Sequence, residues 1–116
     1  MSRVKTGYVR HRRHKKVLDA NKGFRGANRR LYKRAHEAYL HAGAYAYHGR
    51  KLRKRDLRQL WIIRIGAGLE QMESKLSYSR FIAALKKGKI ALDRKILADL
   101  AVNDFETFRK VVEAVG

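Results

Sequence analysis

Apolar residues recur at helical spacing through the second half of the chain. Leu57, Leu60, Trp61, Ile65, Leu69 and Met72 fall on one stripe, which predicts a helix buried along that face. Ser77 reads as an N-cap, with Tyr78, Phe81, Ile82 and Leu85 following at i, i+3, i+4 and i+7. Lys86 and Lys87 suit the last turn of that helix and Gly88 its stop. Asp93 opens another helix, carrying Ile96, Leu97, Leu100 and Ala101, and Asp104 a third, carrying Phe105, Phe108, Val112 and Val115. Four helices packed as a small bundle are expected here, and about 58 residues suffice for such a unit to fold alone.

The first half is patterned differently. Its large aliphatic residues are only Val4, Val9, Val17, Leu18, Leu31, Leu40, Leu52 and Leu57. That is too little apolar surface to offset the entropy of ordering. Yet the segment has no proline and is rich in Arg, Lys, Ala and Leu, which are good helix formers. A short helix near 8–21 is predicted, then a break at Lys22-Gly23-Phe24-Arg25-Gly26, then a long helix from about 27 into the seventies. Gly43 and Gly49 each cost that helix about 1 kcal/mol relative to Ala. This half is expected to order fully only on a polyanion; high helicity of an isolated 1–58 fragment in plain buffer would contradict that. There is no internal repeat. The expected fold class is all-α, with a basic helical extension over 1–58 and a globular helical bundle over 59–116.

Charge sharpens the division. The 116 residues carry a formal net charge of +19, and residues 1–58 hold 19 Lys/Arg against only Asp19, Glu37 and Asp56. Such a balance opposes compaction unless a polyanion neutralises it, so nucleic acid is the leading partner. The stretch GRKLRKRDLRQLWIIRI (49–65) joins the two materials. Arg50, Lys51, Arg53, Lys54, Arg55 and Arg58 spread around most of a helical circumference, which suits a rod among phosphates better than a one-sided membrane helix. From Leu60 and Trp61 onward its own domain is expected to grip the helix, with Ile63 on the opposite side. No run approaches the roughly 18 apolar residues of a membrane span, and the start of the chain lacks the apolar run of a secretory signal. With no cysteine there is no disulfide or thiolate site, and a reducing cytoplasm is the simple reading.

Tyr8, Phe24, Tyr32, Tyr39, Tyr45 and Tyr47 accompany the charge; unpaired bases can stack on such rings, which tilts the choice from DNA toward RNA. His36-Glu37-Ala38-Tyr39-Leu40-His41 misses the H-E-x-x-H spacing by one residue, and the two rings fall about 140° apart on a helix. His11 and His14 stand amid positive charge that repels a metal. No metal or other cofactor is expected. There is no Walker loop or cysteine nucleophile, and pairs such as Asp93 with Asp99 or Glu70 with Glu73 read as caps and surface charge. An enzyme is not expected. Rival readings are a DNA-architectural protein, separable by competition between RNA and duplex DNA; a membrane-active cationic helix, by liposome leakage; and a metal-dependent nuclease, by the fate of labelled RNA with magnesium.

Several blocks resemble one family. They are Arg3-Val4-Lys5, His14-Lys15-Lys16-Val17-Leu18, Lys22-Gly23-Phe24-x-Gly26, Ala44-Tyr45-Ala46-Tyr47, Lys54-Arg55-x-x-Arg58-x-Leu60-Trp61-Ile62-x-Arg64-Ile65, Leu76 to Ile82, and Leu92 to Ala101. Together, along the whole chain, they resemble the bacterial large-subunit ribosomal protein conventionally numbered twenty. The chain departs from that family's usual pattern at Ser2, at Gly66, where Asn is usual, and at Glu70, where a basic residue is common. The resemblance implies an all-helical protein with a long basic extension and a small C-terminal domain. It also implies direct binding to large-subunit ribosomal RNA beside neighbouring large-subunit proteins, and an early role in subunit assembly. Some relatives bind their own messenger RNA and repress its translation. Neither a membrane nor a stable homo-oligomer is expected.

The residues expected to face RNA are Arg3, Lys5, Arg10, Arg12, Arg13, His14, Lys15, Lys16, Lys22, Arg25, Arg29, Arg30, Tyr32, Lys33, Arg34, Tyr45, Tyr47, Arg50, Lys51, Arg53, Lys54, Arg55, Arg58 and Arg64. Lys86 and Lys87 are expected to join them from the C-terminal domain, with Lys89, Arg94 and Lys95 as further docking candidates.

Overall fold

The computed structural model describes residues 1–116 and is all-helical. Helix α1 spans Gly7–Ala20, a 3-10 turn Gly26–Arg29, α2 Tyr32–Gln71, α3 Tyr78–Lys87, α4 Arg94–Asn103 and α5 Phe105–Val115. The chain divides into two compact units, Met1–Lys51 and Leu52–Gly116, and α2 contributes to both. No helix is long and apolar enough to cross a membrane.

In the first unit the chain turns at Gly23 and Gly26, which take φ of 87° and 59°, a region that favours glycine. The long helix begins at Tyr32 rather than near 27. Arg30 and Leu31 N–H both bond the Ala27 carbonyl, at 3.1 and 2.9 Å, so the chain closes a tight turn first. Asn21 locks this corner. It is wholly buried, and its Nδ2 donates to the carbonyls of Asn28 at 3.2 Å and Ala35 at 2.5 Å. Helix α2 then runs through Gly43 and Gly49 without interruption.

The second unit closes on Ile65 and Leu69 of α2, Phe81 and Leu85 of α3, Leu97 and Ala98 of α4, and Phe108 and Val112 of α5, all buried. The rings of Phe81 and Phe108 meet edge to face with centroids 6.0 Å apart. Gly68 lets α2 approach α5, because a Cβ there would lie 2.9 Å from Phe108 Cε1 and 3.2 Å from Ala101 Cβ. The predicted stripe on α2 is buried over only part of its length. Leu57 and Leu60 are 38% and 39% exposed, and burial starts at Trp61. Helices α3, α4 and α5 have 10 or 11 residues each, about 15 Å, and cover only the last turns of α2. Ile63 is exposed, so no other part of the chain covers it. Ile96 is 46% exposed because it lies across the wheel from the buried Ala98 and from Ala101.

Two of the three expected caps form with their side chains. Asp93 Oδ1 accepts from Ile96 N–H at 2.8 Å, and Asp104 Oδ1 from Thr107 N–H at 3.1 Å. Ser77 has the extended backbone of an N-cap but no side-chain cap bond. Ser79 and Arg80 in that first turn are exposed, so water can satisfy the free N–H groups. Helix α3 ends at Lys87 with Gly88 as its C-cap, as expected, but it is Lys89, not Gly88, that takes the left-handed conformation, at φ 55°. Ile90 N–H bonds the Leu85 carbonyl at 3.0 Å and Lys89 N–H that of Lys86 at 3.1 Å, the pair of bonds that closes a Schellman motif. The end of α2 repeats it around Glu73, φ 51°, with Ser74 N–H on Leu69 and Glu73 N–H on Glu70.

Candidate nucleic-acid interface

Positive charge lies almost wholly on exposed, unpaired side chains. Arg3 and Lys5 precede α1, and Arg10, Arg12, Arg13, Lys15 and Lys16 are exposed along it. Lys22, Arg25, Arg29 and Arg30 are exposed around the turn, and Lys33 and Arg34 in the first turn of α2. Further along α2, Arg50, Lys51, Arg53, Lys54, Arg55, Arg58 and Arg64 are exposed, as are Lys86 and Lys87 at the end of α3. Against 29 Lys and Arg, the one ion pair is Lys22 Nζ with Asp19 Oδ1 at 3.8 Å.

On α2 this arrangement costs the helix. Arg50 and Lys54, Lys51 and Arg55, and Lys54 and Arg58 are like-charged pairs one turn apart, each destabilising by a few tenths of a kcal/mol. Every residue from Tyr39 through Leu60 is exposed, so no tertiary packing offsets the repulsion. A polyanion along this stretch would remove it.

The aromatic candidates divide by what already covers them. His14 and Tyr32 stack on each other, centroids 3.6 Å apart and planes at 17°, and both are half-buried; each thus offers at most one free face. Tyr47 has Lys51 Nζ 4.5 Å from its centroid, and Tyr8 has the Arg12 guanidinium at 5.6 Å. Tyr45 is 74% exposed, with His41 as its ring neighbour at 6.4 Å. Of the docking candidates in the second unit, Lys89 and Lys95 are exposed. Arg94 is half-buried and its Nε donates to the Tyr78 hydroxyl at 2.7 Å, tying α4 to α3. Asn21, which holds the first unit's corner, was not among the expected residues. Its partners lie 7 and 14 residues away, beyond any local pattern.

No group of three His, Cys, Asp or Glu side chains is placed to hold a metal ion. Asp104 is the one group with a resolved pKa shift. Its carboxyl is held below its ordinary value, first by the Thr107 hydroxyl, then by the Thr107 N–H; desolvation opposes them and Lys110 adds a smaller lowering. That is a helix cap, not a reactive site.

A family model described as "Ribosomal protein L20" matches residues 3–111. A protein of Desulfovibrio desulfuricans is 58% identical over 111 residues, covering 96% of this chain and 92% of its own. One from Marinobacter nauticus is 53% identical over 113 residues, covering 97% and 95%, and one from Buchnera aphidicola 52% over 113 residues, covering 97% and 94%. All three bear the name "Large ribosomal subunit protein bL20". A family model matching nearly the whole sequence, and relatives sharing more than half of it end to end, establish that this chain belongs to the ribosomal protein L20 family.

Proposed function

We propose that this chain is a structural constituent of the large ribosomal subunit, not an enzyme, and that it binds large-subunit ribosomal RNA directly and supports early assembly of the subunit. The observation that carries the reading is the set of exposed cations with a single ion pair among them. Each can neutralise a phosphate and release condensed counterions without first breaking a bridge within the protein. Phosphate contacts of this kind position a protein on RNA, while exposed rings such as Tyr45 add stacking on unpaired bases.

The RNA-facing extension in this proposal is 1–58. Its boundary follows charge, since Arg53, Lys54, Arg55 and Arg58 are exposed as fully as the cations before them. Residues 59–116 form the globular domain that docks on the RNA surface beside neighbouring large-subunit proteins, using Lys86 and Lys87. By letting RNA helices approach one another over a neutralising rod, the extension would act early, before the subunit closes around it. Repression of its own messenger would use the same phosphate-binding surface, and filter binding to a transcript of the segment upstream of its reading frame tests that. Sedimentation of the native protein with large subunits, and crosslinking to their RNA, tests the main reading. Protein that stays in the soluble fraction and crosslinks to no ribosomal RNA would refute it.

A further inference from the structure

Every one of the 29 Lys and Arg side chains is exposed except Arg94, the first residue of α4. Arg94 is half-buried, and its Nε donates to the Tyr78 hydroxyl on α3 at 2.7 Å. Tyr78 is half-buried as well, with its ring packed against the core of the second unit. The guanidinium is therefore held by a group that the fold has already fixed. A free arginine surrenders rotamer freedom when it binds, whereas Arg94 has lost much of it on folding.

A tie between two helices does not by itself call for arginine. One donor satisfies the tyrosine oxygen, and a neutral side chain would supply it at a smaller cost in desolvation. Arg94 brings a charge with no carboxylate within 4.0 Å. The acids nearest in sequence have other partners: Asp93 accepts from Ile96 N–H, and Asp99 from Asn103 Nδ2. Of its five N–H groups, Arg94 uses only the one on Nε. The other four have no acceptor in the protein, and neither Nη is buried, since Asn21 Oδ1 is the only buried polar side-chain atom without a partner. The paired Nη1–Nη2 edge thus opens to solvent in a fixed attitude, and that edge matches two oxygens of one oxyanion. Residues Leu52–Gly116 hold 14 Lys/Arg against 8 Asp/Glu, and Lys95 beside Arg94 is exposed and unpaired. A surface of that sign draws a polyanion, so the matching oxyanion is phosphate.

We infer that Arg94 clamps one backbone phosphate of RNA through both Nη groups, and that Tyr78 is the positioning residue that holds the fork for it. The inference rests on the RNA-binding reading above. To the docking lysines of the globular domain it adds a contact set by geometry as well as by charge.

The test is binding of the full-length protein to purified large-subunit ribosomal RNA over a series of salt concentrations, with urea unfolding of each variant alongside. Arg94→Gln is expected to bind roughly tenfold more weakly, the loss of a charge-assisted pair. Its plot of log affinity against log salt should be shallower by about one unit. Arg94→Lys keeps the charge and loses the fork, so it should keep the wild-type slope and still bind roughly threefold more weakly. Tyr78→Phe keeps the ring and loses the hydroxyl. It should bind roughly threefold more weakly when Arg94 is present and cause no further loss on top of Arg94→Gln, because the hydroxyl acts through Arg94. An Arg94→Gln slope equal to wild type would overturn the inference and leave the fork to a ligand other than RNA phosphate. Equal losses from Tyr78→Phe with and without Arg94 would overturn the positioning role. Variants that lose stability in urea yet bind RNA as wild type does would reduce the pair to a tie between helices, which also overturns it. Should Arg94→Gln fail to fold, Arg94→Lys decides, and wild-type affinity there overturns the inference. Wild type that fails to bind the RNA at all would overturn the proposed function, and this inference with it.

Discussion

Asn21 Nδ2 donates to the carbonyl of Ala35 across 2.5 Å, joining the end of α1 to the first turns of α2. Removing the amide takes a donor away from two carbonyls, and replacing it with a carboxylate also turns an acceptor toward them. Asn21→Ala should therefore cost the first unit about 1–3 kcal/mol, and Asn21→Asp more. Hydrogen exchange along α1 measures this, with protection falling in the order wild type, Asn21→Ala, Asn21→Asp. Equal protection in all three would show that the corner does not depend on Asn21.

Features carried by neighbouring residues were legible in the sequence, and features carried by distant partners were not. Asp93 and Asp104 announce α4 and α5 because a cap and the N–H that donates to it lie three residues apart. The exposure of Leu57 and Leu60 escaped because periodicity gives the direction of a face, not the length of what packs on it. The helix stops at Glu73 and Lys89 depend on backbone bonds that non-glycine residues can form at some cost. The cationic surface was readable from composition, since unpaired charge has to be exposed. The Asn21 corner was not, because it needs α1 and α2 brought together.

Gly66 and Gly68 predict opposite responses to the same substitution. A Cβ at Gly66 meets nothing within 4 Å, so Gly66→Ala should stabilise the second unit by up to about 1 kcal/mol through helix propensity. At Gly68 it would press on the buried ring of Phe108, so Gly68→Ala should destabilise by about 1–3 kcal/mol. Urea unfolding of the two variants checks the sign of each.

Glu73 and Lys89 hold left-handed backbone at the Schellman ends of α2 and α3, a conformation costing a non-glycine residue roughly 1–2 kcal/mol. Glycine relieves that cost but frees the unfolded chain. Glu73→Gly and Lys89→Gly should each stabilise by up to about 1 kcal/mol. The two sites are independent, so the double variant should show the sum of the two shifts in thermal midpoint.

Asp104 links the start of α5 to pH. Because its carboxyl is held below its ordinary value in the folded protein, its contribution is complete above the unfolded carboxylate's pKa. It is lost as pH falls through the lower, folded value. Asn at this position still caps but does not titrate. The stability advantage of wild type over Asp104→Asn should therefore shrink as pH drops below about 3.8, the ordinary value. A difference that stays constant with pH would contradict the role of the Thr107 bonds.

The central claim is that exposed, unpaired cations on α2 neutralise RNA phosphates. Binding of the full chain to purified large-subunit ribosomal RNA, followed as log affinity against log salt, tests it most directly. The account predicts a steep negative slope for wild type. For the variant with Arg53, Lys54 and Arg55 all replaced by Gln, it predicts a slope shallower by roughly two to three units. An unchanged slope in that variant would remove the cluster from the RNA interface and contradict the account.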